Sequence, residues 1–439
     1  MVGPTNSRQK TSMEMRLFWF TTFCLQVTVV LGVTQLQNRE KLRSANFRTE
    51  VTNETYVYRE HMPLLSSRTD LLKETPISLD HIHQVIIVVQ QNRMDDLTRI
   101  LHEISDPMSA RYGQHMSGEQ IHALTSNPEA RDSIVSYLRL NGASVISETL
   151  SGDFITANAP ISAWDRILNT NFTAFHQLQP GGDVQRIVRA KQYSIPGELD
   201  MYIESILNVV EMPYRKAPRL STSKPKTEKR FAEQATHPFG YLRPQNIREY
   251  YNLTNVYGSR LSTQAAVGFD SNFFSPKSLA YFQQNISIQA LQPALNVGGH
   301  ESDNPADDSA EGNLNIQYLM SISRNSPTTF WYDPGDFNTW LTAVLDTPNP
   351  PLVLSISYTL PEVYAPAGYH QAVTTLAKKL GLMGVTLVVA SGDDGAVGED
   401  ARGSPSKCTY NPDFPASNPY FTAIGGTAVR VVLHSSRNS

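Results

Sequence analysis

The chain up to about residue 210 alternates between strand-like and helix-like patterns. The β-branched, apolar run His83–Asn92 predicts a strand. From Met94 to Ser105 apolar residues recur at helical spacing and a proline follows, so a helix is predicted. Residues Val145–Ala159 predict a hairpin that turns at Ser151–Asp153. Together with helical segments at 118–125, 130–142 and 160–169, this pattern predicts a compact α+β domain with an antiparallel sheet over residues 77–211.

After residue 240 the pattern changes to longer apolar runs that alternate with helical stretches. Strands are predicted within 264–270, 351–358, 384–395 and 420–429. Helices are predicted at 310–323 and 369–383. Continuous apolar strands between helices favour a doubly wound α/β domain with a parallel sheet over residues 240–439. In such domains, functional side chains lie where loops leave the carboxyl ends of the strands.

The two predicted domains are joined by a segment, 212–239, without apolar periodicity. Its central part, Arg215–Phe231, is basic and rich in proline and serine, as exposed linkers are. The Lys229-Arg230 pair would suit a processing protease that cuts near Arg230, since nicking concentrates in exposed loops. An ordinary interdomain linker explains the same composition.

The N-terminus, residues 1–34, has the order of a secretory signal. Basic residues precede an apolar run from Leu17 to Val33, which is long for a signal and short for a membrane span. A cleaved signal peptide or an uncleaved anchor would fit, and only the anchor implies membrane contact. Either sends the chain into the secretory pathway, to a lysosomal or extracellular destination. Asn-x-Ser/Thr sequons, possible glycosylation sites, agree with this route at Asn53, Asn171, Asn252 and Asn285.

Composition excludes several classes of function. The formal net charge of −4 does not suggest a nucleic-acid-binding protein. The only cysteines are Cys24 and Cys408, too few for a zinc site of the CxxC type. The common hydrolase, zinc-protease, P-loop and dinucleotide motifs are not found, and no cofactor is predicted.

Two local groups of residues could carry chemistry. Glu311 and Asn315 are four residues apart, which places both on one face near the start of a helix. The alternative is a capping pair of Asp308 and Glu311. Asp393, in Ser-Gly-Asp-Asp-Gly, directly follows an apolar strand, where an active-site acid or a plain Asp-Gly turn would both fit.

Five blocks, in order, resemble one peptidase family. They are an activation-propeptide-like segment at 105–124, a mature-enzyme start at 243–255, an E-x-x-L-D-x-Q-like motif at 311–317, an S-G-D-x-G motif at 391–395, and FPASNPYFTAIGGT at 414–427. The chain is thereby identified as a member of the sedolisin (serine-carboxyl peptidase) family. It is most similar to members that remove tripeptides from free N-termini.

The resemblance implies a ferredoxin-like propeptide domain followed by a subtilisin-like peptidase domain. It makes Glu311 the general base and Asp393 the acid that donates to the oxyanion. That role needs a protonated carboxyl, which burial and neighbouring negative charge favour, and it fits hydrolysis of peptides and proteins at acidic pH. Endopeptidase specificity is the alternative to tripeptide release.

This sequence departs from the family pattern in two respects. Asn315 stands where the family has its second acid. No S-G-T-S-A-S block, which carries the nucleophilic serine, occurs up to Ser439, and the family's calcium site would also lie beyond that point. The expectation is a truncated, inactive peptidase domain. An incomplete copy of an enzyme, a non-catalytic paralogue with a binding or regulatory role, and a decaying gene product that does not fold remain as explanations.

Overall fold

The computed structural model describes residues 55–63, 71–178, 184–213, 242–269, 272–304, 310–398 and 410–427. Compact packing divides the chain into a unit that ends at Tyr58 and a second unit, Arg59–Ser439, which holds both predicted domains. The predicted signal segment, Asn53, Cys408 and linker residues 214–239 lie outside the described residues. Within the described ranges, no helix has the length and apolar character needed to cross a bilayer.

Strands and helices are numbered in chain order within the described ranges. The strands are β1 (Tyr56–His61), β2 (Leu71–Thr75), β3 (Ile82–Val89), β4 (Ser144–Glu148), β5 (Phe154–Pro160), β6 (Phe172–Leu178), β7 (Val184–Ala190), β8 (Gln192–Pro196), β9 (Ile203–Leu207), β10 (Gln264–Gly268), β11 (Leu295–Val297), β12 (Thr328–Tyr332), β13 (Val353–Ile356), β14 (Leu360–Pro361), β15 (Thr386–Ala390), β16 (Asp413–Phe414) and β17 (Thr422–Ile424). The helices are α1 (Met94–Ser105), α2 (Gly118–Thr125), α3 (Pro128–Leu140), α4 (Ile161–Ile167), α5 (Pro244–Tyr250), α6 (Pro276–Asn285), α7 (Ala310–Ser323), α8 (Phe337–Leu345) and α9 (Ala367–Leu382).

The N-terminal half forms antiparallel sheets covered by helices. Strands β4, β5, β3 and β9 lie in that order in one sheet, and β2, β6 and β7 form another. The predicted hairpin is confirmed, because β4 and β5 pair antiparallel around a turn in which Gly152 has φ of +68°. The predicted helix α1 is confirmed over Met94–Ser105, with Leu97, Leu101 and Ile104 buried. Met212, the first residue of the predicted linker, packs into the core of this half.

The C-terminal half contains the predicted parallel sheet, with strand order β11-β12-β10-β13-β15-β17. Alternate residues of a strand point to opposite faces. In β10, Ala265 and Val267 pack in the core that contains α8 and α9, while Ala266 packs in the core that contains α6 and α7. Helices therefore cover both faces. The chain reverses its direction of winding between β10 and β13, where open α/β sheets bind ligands.

The antiparallel sheet of the N-terminal half packs on helix α9. Val88, Phe154 and Leu207 share one apolar core with that helix. Inside this interface, Lys379 Nζ of α9 donates to the Asp153 carboxylate, and the two side chains are 1% and 3% exposed. The sheet thus forms part of the core of the C-terminal half.

A second carboxylate, that of Glu204, faces the same helix. It accepts a hydrogen bond from the Thr375 hydroxyl at 3.3 Å. The charges of Lys378, Lys379 and Asp153 also interact with it. Burial raises the pKa of Glu204 to about 7, against the hydrogen bond from Thr375 and the charge of Lys379. Because the pKa of Glu204 is raised in the folded state, its protonated form favours folding. This contribution to the free energy of unfolding is complete below the ordinary glutamate pKa and is lost as pH rises through about 7.

We therefore expect Glu204→Gln to stabilise the chain at pH 8 but not at pH 4.5. The gain should be about 2 kcal/mol, after allowance for the partial exposure of the side chain. Unfolding free energies of both proteins at the two pH values measure it. Glu198→Gln, at an exposed position of the same half, is the matched control and should show no such pH dependence. An equal effect of Glu204→Gln at both pH values would contradict the prediction.

Candidate active site

Helix α7 is held by its first turn against the loop that follows β10. The Gly312 N–H donates to Asn272 Oδ1, and the Ser275 N–H donates to Asn313 Oδ1, both at 2.9 Å. A Cβ atom on Gly312 would lie 2.0 Å from the Phe273 carbonyl oxygen, so only glycine permits this approach. The contact fixes the turn that carries the predicted base.

Glu311 and Asn315 meet on the same face of α7, as their spacing predicts. Asn315 Nδ2 donates to Glu311 Oε1 at 3.3 Å, and the Ser357 hydroxyl donates to Asn315 Oδ1 at 3.2 Å. Since the amide oxygen accepts from Ser357, the amide NH₂ group is turned toward the Glu311 carboxylate. The alternative capping partner, Asp308, lies outside the described residues.

Ser357 was missed in the sequence. It directly follows β13, one of the two strands at the point where the winding of the sheet reverses. The sequence does place Ser357 at the carboxyl end of a predicted strand, a position where functional side chains occur. What it does not show is that this strand lies next to β10, the strand that precedes α7 in the chain. Strand order, which decides that adjacency, is a property of the fold.

Asp393 lies in the loop after β15 and is brought near the base. Its charge contributes to raising the pKa of Glu311. The Asp393 side chain is exposed, so the burial expected for a carboxyl held neutral is not found. Preceding it, Gly392 has φ of +87°, and a Cβ atom there would lie 1.9 Å from Asp413 Oδ2. The loop therefore needs glycine at this position.

The Glu311 carboxylate has a raised pKa. Burial is the main cause, the hydrogen bond from Asn315 opposes it, and the charge of Asp393 adds to it. A carboxylate with a raised pKa is a stronger base than one with the ordinary pKa. The arrangement brings together a carboxylate with a raised pKa, an amide that hydrogen-bonds to it, and a second carboxyl group nearby.

We expect Asn315→Asp to raise the apparent pKa of the Glu311 pair further. The substitution replaces an amide donor by a second carboxylate at hydrogen-bond distance, and two such groups do not both ionise readily. Side-chain carboxyl ¹³C titration by NMR measures the shift. Asn285→Asp, on the exposed side of α6, is the control and should leave Glu311 unchanged. A lower or unchanged Glu311 pKa in Asn315→Asp would show that the 3.3 Å contact does not govern the base.

Comparison with known proteins assigns the chain to a family. Residues 69–212 match the family model described as Pro-kumamolisin, activation domain. Tripeptidyl-peptidase sed1 of Aspergillus fumigatus is 27% identical over 418 residues, covering 78% of this chain and 63% of the relative. Tripeptidyl-peptidase 1 of Homo sapiens is 28% identical over 358 residues, covering 77% and 60%. The chain belongs to the sedolisin family.

This sedolisin-family chain spans about three fifths of the length of the relatives that it matches. Among solved structures it is similar to Pseudomonas sedolisin complexed with two molecules of pseudo-iodotyrostatin, with a TM-score of 0.32 and 19% identity. That alignment covers 44% of this chain and 55% of the other. A likeness at this level adds nothing to the assignment, which depends on the sequence matches.

The remaining site predictions stay predictions. The sequon asparagines Asn171, Asn252 and Asn285 are exposed, as a glycan would require. Within the described ranges, no three His, Cys, Asp or Glu side chains are grouped so that they could hold a metal ion.

Proposed function

We propose that this chain belongs to the precursor of a sedolisin-type serine peptidase of the secretory pathway, and that the complete enzyme acts on peptides with free N-termini at acidic pH. The observation that carries the proposal is the connected group of Ser357, Asn315 and Glu311, with Asp393 close enough to raise the base's pKa. In this proposal Glu311 takes the proton of the nucleophile and Asp393, when protonated, donates to the oxyanion.

The N-terminal half would act as the propeptide. Its strand order, β4-β5-β3-β9, supports the ferredoxin-like fold expected from the family, and its sheet packs on α9 of the peptidase half. Cleavage near Arg230 by a processing protease would separate the halves. No serine of the printed sequence matches the family's nucleophile block, so we propose that the 439 residues alone do not hydrolyse peptides.

The test compares two samples with one substrate, a tripeptidyl coumarin amide with a free N-terminus, between pH 3.5 and 6. The first is the 439-residue chain after acid treatment, expected to release coumarin at the buffer rate. The second sample is the natural protein, isolated from the source tissue with an antibody against the peptidase half. This sample is expected to be active. N-acetylated substrate serves as the control for exopeptidase specificity. Turnover by the 439-residue chain that is lost in Glu311→Gln would place the nucleophile within it.

A second candidate, a non-catalytic paralogue, is favoured by one observation. Asn315 can hold Glu311 by a hydrogen bond but carries no charge and relays no proton in place of an acid. Such a protein would bind an active relative and inhibit it through its propeptide half. If the isolated tissue product has no peptidase activity and the chain inhibits tripeptidyl-peptidase 1 in solution, this candidate replaces the first.

A further inference from the structure

A cavity of about 350 Å³ opens beside the candidate active site, between the two halves of the second unit. On the peptidase side it is lined by the residues that follow β10, β12 and β13, at the carboxyl edge of the parallel sheet. Tyr358 is one of them, and its neighbour Ser357 donates to Asn315. The cavity therefore adjoins the group that holds the base.

The peptidase wall of this cavity is aromatic and carries one charge. Phe269, Phe337, Tyr358 and Tyr369 supply aromatic surface, and Asp336 is the one charged residue among the peptidase-side lining residues in the described ranges. The Asp336 side chain caps α8 by accepting from the Thr339 N–H at 3.0 Å, yet it remains exposed. Such a wall suits a cation, because a carboxylate and aromatic faces both attract positive charge.

The propeptide wall already brings a cation into this space. Arg189 of β7 lines the cavity and is 8% exposed, with Nε donating to the Glu211 carbonyl at 2.6 Å and Nη1 to the Val188 carbonyl at 2.7 Å. Its positive charge acts on Asp336 across the cavity. Glu211, on the propeptide side as well, uses its carboxylate to accept the N–H groups of the residues before it.

When the propeptide leaves, Arg189 and Glu211 leave together. Asp336 then lines an aromatic pocket that no longer contains the cation of the propeptide. A carboxylate beside aromatic faces attracts a positive group, and under the proposed function the substrate is the group that next enters this space.

We propose that the peptidase side of this cavity is a subsite for a positively charged group of a peptide, with Asp336 as counter-ion, and that Arg189 occupies it in the precursor. The inference rests on the proposed peptidase function for its role in catalysis. The cation could be the α-ammonium of a chain end or a basic side chain, since the two share the chemistry that Asp336 recognises.

The test uses the full chain with Arg189→Gln, which keeps a donor for the Glu211 carbonyl but removes the charge. Arg189→Met is the second variant, in case the first does not fold. Isothermal titration at pH 7 uses three probes: phenylalanine amide, Nα-acetylarginine amide and the neutral Nα-acetylphenylalanine amide. Binding of the first alone assigns the site to chain ends, and binding of the second alone assigns it to basic side chains; either result supports the proposal.

The matched control adds Asp336→Ser, which keeps an oxygen to cap α8 and removes only the charge. Binding should weaken about tenfold or more, as the loss of a charge-assisted hydrogen bond predicts. Unchanged binding, equal binding of the neutral probe, or binding of none of the three would overturn the proposal and leave Asp336 as a helix cap. Since no turnover is measured, this outcome is independent of the hydrolysis test.

Discussion

Asp153→Asn is expected to destabilise the chain by about 3–5 kcal/mol at pH 7, the loss typical when one member of a buried ion pair is removed. The Lys379 side chain, 1% exposed, would lose its counter-ion in a medium where charge is poorly solvated. The amide is nearly isosteric, so the loss reports charge and not a cavity. Thermal or denaturant unfolding of the two proteins measures it.

The contribution of Asp153 to the free energy of unfolding depends on pH with the opposite sign to the contribution of Glu204. Burial opposes the charged form of Asp153, but the charge and hydrogen bond of Lys379 outweigh it, so the pKa of Asp153 is lowered. A lowered folded-state pKa gives stability that is present above the ordinary aspartate value and is lost as pH falls through the folded one. The difference in unfolding free energy between wild type and Asp153→Asn should therefore shrink as pH falls below the ordinary aspartate pKa.

The double variant Asp153→Asn with Lys379→Met provides the control. Replacing both charges removes the unpaired ammonium, so the double variant should be more stable than Asp153→Asn alone. If Asp153→Asn lies within about 1 kcal/mol of wild type at pH 7, the pair does not hold the interface. A large loss would mean that the N-terminal half contributes directly to the stability of the C-terminal half.

Gly312→Ala is expected to cost about 3 kcal/mol, at the upper end of the usual range for overpacking. The new Cβ atom would meet the Phe273 carbonyl oxygen at 2.0 Å and Asn272 Oδ1 at 2.8 Å, and the first of these is backbone. The first turn of α7 must then move away from the loop after β10. That movement would shift Glu311, so its pKa measured by ¹³C NMR should change together with the unfolding free energy.

Gly118→Ala is the matched control for this substitution. Gly118 is the first residue of helix α2, and a Cβ atom there would meet nothing within 4 Å. Alanine in a helix without a steric conflict should be neutral or stabilise by up to about 1 kcal/mol. Equal effects of the two substitutions would show that the close approach at Gly312 is not what positions α7.

Local pattern was sufficient for the elements whose periodicity is long and regular. Helices α1 and α7 begin and end where the sequence predicts, because each shows helical spacing over 12 or more residues. Strands β11 and β12 and helix α8 were not predicted. The two strands are short, three residues in β11 and five in β12, and both contain polar residues, so their patterns do not distinguish strand from helix or loop.

The sequence by itself determined the family, through five blocks in order, and with it the candidate residues Glu311, Asn315 and Asp393. Only the tertiary structure decided what those residues contact. Lys379 and Asp153 are 226 positions apart, and Ser357 and Asn315 are 42 apart, so no local periodicity relates them. Such pairs are set by strand order and by the packing of one half on the other, because burial and charge depend on neighbours in space.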